Sequence, residues 1–418
     1  MRVLFVTKEY LPKPTPPGLC IMHVQKALKD RGVQSDVLMV ADSEGLYCHG
    51  DYGDVYSIKS GITFEKKKVN LFEYLKVHIP MLFTWPVPSY KRVNDYRKMI
   101  RQLNVEHHYD AIIGTMFPPD VCVACSVFDH FFYYELDSLI NNPVYKSGIK
   151  KYMRGRLSRL EHKLFDRAEF IIHLNNNHLF YGKEKYRKYD EKSAYSDIPY
   201  LIQIQSNKVN TADISADLAD DQLLMVYSGL LSQDYRSPTK LIELIKQVSK
   251  HISVKCLFFS RGDCEDELRQ AEIDTNATVR RMGYVSQEVL TAYTNRADFL
   301  LDIGNNLSGE DYSLPSKVID YMATGKPIIH MNGHNDSAIQ YLEKYGLALN
   351  VPEDMDETFI NTKVLKFIEE SRGKIKDFSE VAAKFPQNTP EYTAKLMIDA
   401  IKKRNANQSD ILAGEDTI

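Results

Sequence analysis

Short apolar runs alternate with stretches of helical periodicity along both halves of the chain. Val3–Thr7 and Ser35–Val40 are strand-sized runs bounded by polar residues. Between them, Val24, Ala27 and Leu28 lie on one face of a helix. A strand, a helix and a second strand in this order predict a βαβ unit with parallel strands and a right-handed crossover. Three further apolar runs continue the series: Tyr109–Gly114, Phe131–Ser138 and Phe170–Leu174.

A second alternating series starts after a stretch that is poor in large apolar residues, between about Gln203 and Asp221. Its predicted strands are Leu223–Gly229, Val254–Phe259, Thr278–Met282, Phe299–Ile303 and Pro327–His330. A chain of 418 residues is too long for one ordinary core. We therefore predict an α/β protein with two layered domains, residues 1–205 and 206–390, and a disordered tail at 409–418.

The composition is that of a water-soluble globular protein, with 44% hydrophobic and 26% charged residues. A formal net charge of −3 argues against a dedicated nucleic-acid binder. No apolar run approaches the roughly 20 residues of a membrane span, and the first residues, MRVLFV, are strand-sized rather than a signal peptide. These features predict a cytoplasmic protein.

The six cysteines are scattered without the spacing of a disulfide framework. Cys122 and Cys125 form a C-x-x-C sequence, but their neighbours are apolar and no second pair exists in the sequence. This arrangement favours core packing over a metal or redox role.

The stretch Leu314–Ile329, LPSKVIDYMATGKPII, combines helix signals with polar residues at its start. The predicted helix opens at Ser313 or Leu314 with Pro315 in its first turn, and Gly325 ends it. Its apolar residues follow helical spacing and should face the sheet, which leaves the polar residues on the side toward the strand ends.

Ser316, Lys317 and Asp320 are those polar residues. A lysine in the first helical turn opposes the helix dipole at a cost of about 0.3–1 kcal/mol, which a bound anion would remove. We interpret the turn as a phosphate site in which backbone amides, the Ser316 hydroxyl and the Lys317 charge hold a diphosphate. Asp320 is then placed to accept hydrogen bonds from ribose hydroxyls. The alternative is an amphipathic helix with an ordinary exposed serine, lysine and aspartate.

Two further positions in this half suit a nucleotide. Arg236, in the loop after the strand Leu223–Gly229, can reach the same diphosphate if the two segments are neighbours in the sheet. Tyr284 and Val285 follow the strand Thr278–Met282, where they can stack on a base or hydrogen-bond to it.

In the first half, Gly18 lies in the first strand-to-helix loop, at the ligand edge of a parallel sheet. It can bring backbone amides close to a phosphate or sugar, or it lies in an ordinary surface loop. Glu135 and Asp137 follow an apolar run and are candidates for holding sugar hydroxyls or for base catalysis. A solvated pair in a loop is the alternative.

Two segments have the composition of a membrane-facing surface. Residues 77–92 place Trp85 and other apolar groups ahead of Lys91 and Arg92 in a proline-rich loop. Residues 146–163 are rich in lysine and arginine, and Glu161 is their single acid. Each segment suits contact with lipid headgroups or a lipid-linked acceptor. A satellite core for the first and a solvated helix for the second are the alternatives.

The two α/β halves, the SG-x-L sequence that begins with Ser228 and Gly229, and LPSKVIDYMATGKPII resemble the GT-B glycosyltransferases, in particular glycosyltransferase family 4. The resemblance implies two Rossmann-like doubly wound domains facing a cleft. It also implies transfer of a sugar from a nucleotide-sugar with retention, no required metal, and nucleotide binding by the C-terminal domain through residues that include Ser228 and Gly229. A C-terminal helix, residues 391–405, would pack back on the first domain.

The family's Glu-x7-Glu motif places its second carboxylate on the ribose, and Asp320 matches that position. The first glutamate, which holds donor-sugar hydroxyls, falls on Tyr312, although Glu310 or Asp311 stands beside it. The departures resemble a sub-group with a PSK turn that builds bacterial surface polysaccharides.

The family's arginine and lysine near the first strand of the second domain are also altered. Leu230 stands where the arginine is expected, so Arg236 and Lys317 are the candidates for that role. The N-terminal glycine pair is reduced to Gly18, and no histidine follows Ala111–Gly114.

The resemblance thus implies a transferase that uses a UDP- or GDP-sugar and a glycan or lipid-linked acceptor, without a cofactor. Lys317 and Arg236 would stabilise the departing diphosphate, and Glu310 and Asp137 are the candidate catalytic carboxylates. Such an enzyme would work in the cytoplasm, at the inner face of the cell membrane.

Two other interpretations stay open. A non-hydrolysing nucleotide-sugar epimerase would need cleft acids and a histidine, for which Glu135, Asp137 and His178 are available. A non-catalytic partner of a transferase would explain why Tyr312 stands where a carboxylate is expected.

Overall fold

The computed structural model describes residues 1–12, 15–59, 84–116, 118–140, 154–174, 178–203, 222–304, 315–331 and 336–415. The chain divides into two compact units. The first unit is Met1–Ile198 together with Gln387–Ile418, and the second unit is Pro199–Pro386. The predicted linker from Gln203 to Asp221 lies almost wholly outside the described residues.

Eight described strands form the sheet of the first unit, in the order β3-β4-β2-β1-β5-β6-β7-β8. Neighbouring strands are parallel except β3 and β4. The strands are β1 (Arg2–Val6), β2 (Gln34–Ala41), β3 (Gly45–His49), β4 (Asp54–Lys59), β5 (Ala111–Met116), β6 (Phe131–Glu135), β7 (Phe170–Leu174) and β8 (Ser193–Ser196). The hydrophobic pattern did not predict β3 or β8, whose exposed or half-buried residues lack an apolar run, or β4, whose buried residues are interrupted by Ser57.

Helices cover the faces of this sheet. They are α1 (Pro16–Lys29), α2 (Tyr90–His107), α3 (Pro119–Cys125), α4 (Arg154–Arg167), the single turn α5 (His178–Tyr181) and, at the end of the chain, α14 (Pro390–Glu415), with a 3-10 helix at Glu184–Lys192. Helix α14 packs on this unit, where Arg404 donates a hydrogen bond of 2.6 Å to the Asp110 carbonyl oxygen. The helix runs past Asn405 to Glu415, into the segment for which the sequence predicted disorder.

Six described strands form the sheet of the second unit, in the order β11-β10-β9-β12-β13-β14, and all neighbouring pairs are parallel. The strands are β9 (Leu223–Leu231), β10 (Val254–Gly262), β11 (Val279–Arg281), β12 (Phe299–Ile303), β13 (Ile328–Met331) and β14 (Ala348–Val351). The chain first adds strands on one side of β9 and then on the other. The topological switch point therefore lies between β9 and β12, where doubly wound sheets bind their ligands at the carboxyl ends of the strands.

Both faces of this sheet are buried. In β9, Leu223, Met225 and Tyr227 enter one hydrophobic core, and Leu224 and Val226 enter the other. The covering helices are α6 (Thr239–Val248), α7 (Glu265–Asp274), α8 (Gln287–Arg296), α9 (Ser316–Ala323), α10 (Asp336–Tyr345), α11 (Glu357–Phe359), α12 (Leu365–Ser371) and α13 (Phe378–Lys384), with a π-helix at Ile360–Val364 and a 3-10 helix at Pro386–Asn388. A strand buried on both faces reads as a continuous apolar run, which is why the sequence located β9 and β12 so well.

Helix α9 carries the predicted phosphate site. It begins at Ser316, and Pro315 precedes the first helical residue rather than occupying the first turn. Its end is fixed by Gly325, which has a φ of +73° and would place a Cβ atom 2.0 Å from the Lys376 carbonyl oxygen. Only glycine fits there, because a side chain would meet both an unfavourable backbone conformation and the neighbouring backbone.

Candidate functional site at the switch point of the second unit

Lys317 reaches the carboxyl ends of β9 and β12. Its Nζ atom lies 2.5 Å from Asp302 Oδ1 and 4.1 Å from the centre of the Tyr227 ring. Its side chain is 14% exposed, whereas that of Asp302 is 2% exposed. The lysine is therefore not the solvated surface residue of an ordinary amphipathic helix, since a buried ion pair and an aromatic face hold its charge.

Asp302 binds a second basic side chain. Its Oδ2 atom lies 2.6 Å from Nδ1 of His330, which is fully buried. The two residues are direct neighbours in the register of β12 and β13. Burial opposes ionisation of Asp302, but Lys317 and His330 outweigh it and hold the pKa of the carboxyl group well below its usual range.

Arg236 adds a second cation at this edge. The backbone N–H of Arg236 donates to the Ser232 carbonyl oxygen at 2.9 Å, and that of Ser232 donates back to Arg236 at 3.1 Å, which folds the loop after β9 into a tight turn. Burial and the nearby Arg236 charge lower the pKa of Lys317, whereas Asp302 raises it. Arg236 and Lys317 thus lie close enough for their charges to interact, and their joint contact with a diphosphate stays a prediction.

The site has an excess of positive charge. Arg236 and Lys317 are both cations, and Asp302 is the carboxylate paired with Lys317. Three buried nitrogen atoms of these side chains have no hydrogen-bond partner among the described residues: Arg236 Nε, Lys317 Nζ and His330 Nε2. Surplus cationic charge with unused donors on Arg236 and Lys317 suits an anion.

Ser228 and Gly229 lie in the second half of β9, beside this site. The Ser228 N–H donates to the Tyr321 hydroxyl at 2.9 Å, and the two hydroxyl oxygens are 3.0 Å apart. Gly229 has a φ of +141°, and a Cβ atom there would lie 3.6 Å from Lys317 Nζ. That distance is an ordinary van der Waals contact, so it is the backbone conformation rather than lack of space that favours glycine here.

Asp320 and Ser316 are exposed on α9. Loss of solvation raises the pKa of Asp320 to about 6 although water reaches its side chain. An exposed carboxyl group at this place can accept hydrogen bonds from the hydroxyl groups of a ligand. Such a position suits the predicted contact with a ribose.

Tyr284 and Val285 follow β11 at the same edge of the sheet. The Tyr284 side chain is 82% exposed, and the Arg261 guanidinium lies 5.9 Å from the centre of its ring. Val285 packs instead against the hydrophobic core. Tyr284 is thus available for stacking, while only the backbone of Val285 remains for a base.

In the first unit, the structure turns Glu135 away from a ligand edge. Glu135 is fully buried, and its carboxylate accepts hydrogen bonds from the Leu174 N–H at 2.9 Å and the Tyr181 hydroxyl at 2.8 Å. The prediction that Glu135 points into a ligand crevice was therefore wrong. Asp137 is half-buried and its N–H donates to the Met116 carbonyl oxygen, while Gly18 is buried in the first turn of α1.

Some predicted residues lie outside the described part of the chain. Glu310, Asp311 and Tyr312 belong to the stretch between β12 and α9, and the side chain of His178 is also not described. Within the described residues, no group of three or more histidine, cysteine, aspartate or glutamate side chains is arranged to hold a metal ion. Burial raises the pKa values of Cys122 and Cys125, which makes both thiols poor nucleophiles and metal ligands.

Asp302, His330 and Tyr321 were missed by the sequence reasoning. The first two carried a usable signal, because each is a single polar residue at the end of an otherwise apolar run, FLLDI and PIIHM. Such residues mark strand ends that face a polar site or a buried partner. In the sequence, Tyr321 follows the spacing of the apolar residues of α9 and gives no sign of a polar contact. Only the structure shows that its hydroxyl accepts a hydrogen bond from the Ser228 N–H.

Solved structures share the fold of this protein along nearly the whole chain. Sucrose-phosphate synthase from Thermosynechococcus elongatus is 13% identical, with 99% of each chain covered and a TM-score of 0.51. WaaG, a glycosyltransferase involved in lipopolysaccharide biosynthesis, is 14% identical, with 96% of this chain and 98% of that chain covered and a TM-score of 0.51. The chain has the GT-B fold.

A third GT-B neighbour is a putative UDP-N-acetylglucosamine 2-epimerase from Listeria monocytogenes, which is 10% identical over 96% of each chain with a TM-score of 0.53. No family model matches this GT-B chain, and no curated protein matches its sequence. Among the described residues, no helix has both the length and the apolar character needed to cross a bilayer.

Proposed function

We propose that this GT-B protein is a glycosyltransferase that moves a sugar from a UDP- or GDP-sugar to a glycan or lipid-linked acceptor. The observation that carries the proposal is the pair of cations, Lys317 and Arg236, at the switch point of the second unit's sheet. A nucleoside diphosphate is the anion that a doubly wound sheet holds at this place.

The chemistry follows from the charge that develops on the leaving group. As the bond between the sugar and the diphosphate breaks, negative charge grows on the diphosphate, and Lys317, Arg236 and the first-turn amides of α9 stabilise it. These fixed positive groups take the role that a divalent cation has in other transferases, so we propose turnover without a metal or cofactor. We further propose retention at the transferred sugar carbon.

The other predicted residues have separate roles in this proposal. Ser316 adds a hydroxyl to the phosphate site, Asp320 binds the ribose, and Tyr284 stacks on the base while Val285 contributes its backbone. The roles of Gly18 and Asp137 toward the acceptor stay predictions, as do those of Glu310 and Tyr312 toward the donor sugar, since the last two lie outside the described residues.

Contact with an anionic membrane belongs to the same proposal, through residues 77–92 and 146–163. In the described part of the second segment, Arg156, Arg159 and Lys163 are exposed, while Glu161 is buried. Trp85 of the first segment packs against the hydrophobic core of the first unit, which favours the satellite-core interpretation there. We propose the inner face of the cell membrane as the place of action and cell-surface polysaccharide synthesis as the process.

The direct test is a panel of UDP- and GDP-sugars assayed for transfer to glycan and lipid-linked acceptors, with Lys317→Ala beside the wild type. We expect Lys317→Ala to lower turnover at least tenfold, which corresponds to about 1.4 kcal/mol of lost transition-state stabilisation. Lys376→Ala is the matched control, since this half-buried lysine pairs with Glu380 away from the site. Unchanged turnover and donor affinity in Lys317→Ala would exclude the proposed phosphate site.

A nucleotide-sugar epimerase remains the second candidate, because one neighbour of the same fold is described as such an enzyme. The burial of Glu135 removes one of the acids that this reaction would need from the first unit. Incubation of the donor without acceptor separates the two, since an epimerase yields an epimer of the donor and a transferase does not. A non-catalytic partner subunit would bind donor and yield neither product.

A further inference from the structure

The Asp302 carboxylate is held between two basic side chains at the carboxyl edge of the second unit's sheet. Its two oxygens lie 2.5 Å from Lys317 Nζ and 2.6 Å from His330 Nδ1. We propose that Asp302 is a positioning residue of the transferase: it keeps Lys317 charged and fixes its ammonium group for the diphosphate, while His330 fixes Asp302. This inference rests on the proposed function and assigns roles to two residues at that site.

The solvent exposure of the side chains decreases from Lys317 to Asp302 to His330. The side chains of Lys317, Asp302 and His330 are 14%, 2% and 0% exposed. Of the three side chains, Lys317 therefore lies nearest to solvent, although its Nζ atom is itself buried, and the Asp302 carboxylate lies behind it. Asp302 acts through Lys317 and does not touch the donor.

Lys317 needs a counter-charge because its surroundings disfavour the ammonium form. Burial and Arg236 both act against its protonation, and Asp302 acts in favour of it. Without Asp302, the lysine would lose its proton at a lower pH and could no longer neutralise a phosphate. The titratable and charged groups around it are Tyr227 of β9, Arg236 of the following loop, Asp302 of β12, His330 of β13 behind Asp302, and Asp320 and Tyr321 of α9.

His330 determines the orientation of the carboxylate. The register of β12 and β13 places His330 beside Asp302, and the contact with Nδ1 occupies the oxygen that Lys317 does not use. With both oxygens engaged, the carboxylate cannot rotate away from the lysine. A neutral ring that donates from Nδ1 is sufficient for this role.

The experiment measures UDP and GDP binding by titration calorimetry between pH 6 and pH 9.5. In Asp302→Asn, we expect the loss of nucleotide affinity relative to wild type to grow with pH and to exceed about tenfold at the alkaline end. The reason is that lowering the pKa of Lys317 by one unit reduces the fraction of charged lysine about tenfold at a pH above that pKa. Asp302→Glu retains the charge but moves it by one methylene, so its affinity loss should be the same at every pH.

The double variant Asp302→Asn, Lys317→Arg is the rescue. Arginine stays charged throughout this range, so the pH-dependent loss should disappear relative to Lys317→Arg alone. A merely structural role for Asp302 would give the same loss at every pH and no rescue. Either of those results, or wild-type affinity in Asp302→Glu, would overturn the proposal.

A second measurement does not need a donor. The Lys317 side-chain signal in a lysine-labelled sample, assigned by its absence in Lys317→Arg, reports the titration of the ammonium group by NMR. We expect its midpoint in Asp302→Glu to stay near wild type and in Asp302→Asn to fall by about one pH unit or more. An unchanged midpoint in Asp302→Asn would overturn the inference, whereas failure of the wild type to bind UDP or GDP would overturn the proposed function alone.

Discussion

Each unit contains a buried acid, and the pKa values of the two acids are shifted in opposite directions. Asp302 of the second unit is paired with Lys317 and His330, which hold its pKa well below the usual range. Glu161 of the first unit is fully buried and receives hydrogen bonds from the hydroxyls of Tyr186 at 2.6 Å and Tyr181 at 3.3 Å. Burial raises the pKa of Glu161 to about 8, and the tyrosines offset only part of this effect.

The difference shows that burial alone does not decide the charge of an acid. Neutral hydroxyl donors compensate part of the lost hydration, whereas a cation in direct contact compensates more than all of it. Tyr181 also bridges Glu161 to Glu135, and the negative charge of Glu135 acts further against ionisation of Glu161. The cluster in the first unit is therefore a structural network around an acid that stays protonated at neutral pH, and the cluster in the second unit is a charged site.

The strongest test of this comparison removes the charged acid. Asp302→Asn should lower the free energy of unfolding by about 3–5 kcal/mol, because it leaves the buried Lys317 ammonium group beside Arg236 without its carboxylate. Urea denaturation measures the effect. The double variant Asp302→Asn, Lys317→Met should recover part of the loss, since the unpaired charge is gone as well. A single variant as stable as wild type would contradict the assignment of Asp302 as an ionised, paired group.

The second test uses pH. The folded-state pKa of Glu161 is raised above the ordinary value of 4.5 to about 8, so its contribution is fully present below pH 4.5 and is lost as pH rises toward 8. We expect the stability difference between wild type and Glu161→Gln to change by about 1.4 kcal/mol per pH unit in that window. Asp302 has the opposite sign, and its contribution is lost only as pH falls into the strongly acid range. Parallel stability profiles of wild type and Glu161→Gln would show that Glu161 is ionised when folded.

The smallest effect is expected for one hydroxyl. Tyr186→Phe removes the 2.6 Å hydrogen bond to Glu161 and should cost about 1–3 kcal/mol, because a buried acid loses a partner. Combining it with Glu161→Gln in a double-mutant cycle isolates the coupling between the two side chains. Additive effects of the two substitutions would mean that the hydrogen bond contributes nothing to stability.

The fold was largely predictable because its parallel strands are buried on both faces. The runs that became β7 and β12 match the predicted bounds, Phe170–Leu174 and Phe299–Ile303. The strands β3 and β8 were not predicted, since edge strands with exposed or half-buried residues carry no such run. The GT-B resemblance in fold was confirmed, whereas the roles of the individual site residues remain predictions.

The candidate site was also predicted only in part, because some of its residues follow from nearby sequence and others are brought in from distant parts of the chain. The helix signals of Pro315 and Gly325 placed Lys317 at the start of α9, and the order of strands then brought Arg236 to the same edge. The partners of Lys317 come from elsewhere in the chain, and no spacing rule relates them to the lysine. Glu135 illustrates the converse, since its place after an apolar run suggested exposure but the tyrosine of a later helix turns it inward.

The sequence by itself determined the two alternating α/β halves, the buried strands and the cationic start of one helix. These depend on hydrophobic periodicity and on residues a few positions apart, which act through the local backbone. Only the tertiary structure decided that Asp302 is ionised, that Glu161 is protonated at neutral pH and that Lys317 pairs with a carboxylate. The physical reason is that the pKa of a buried group depends on charges that long-range strand pairing brings within a few ångströms.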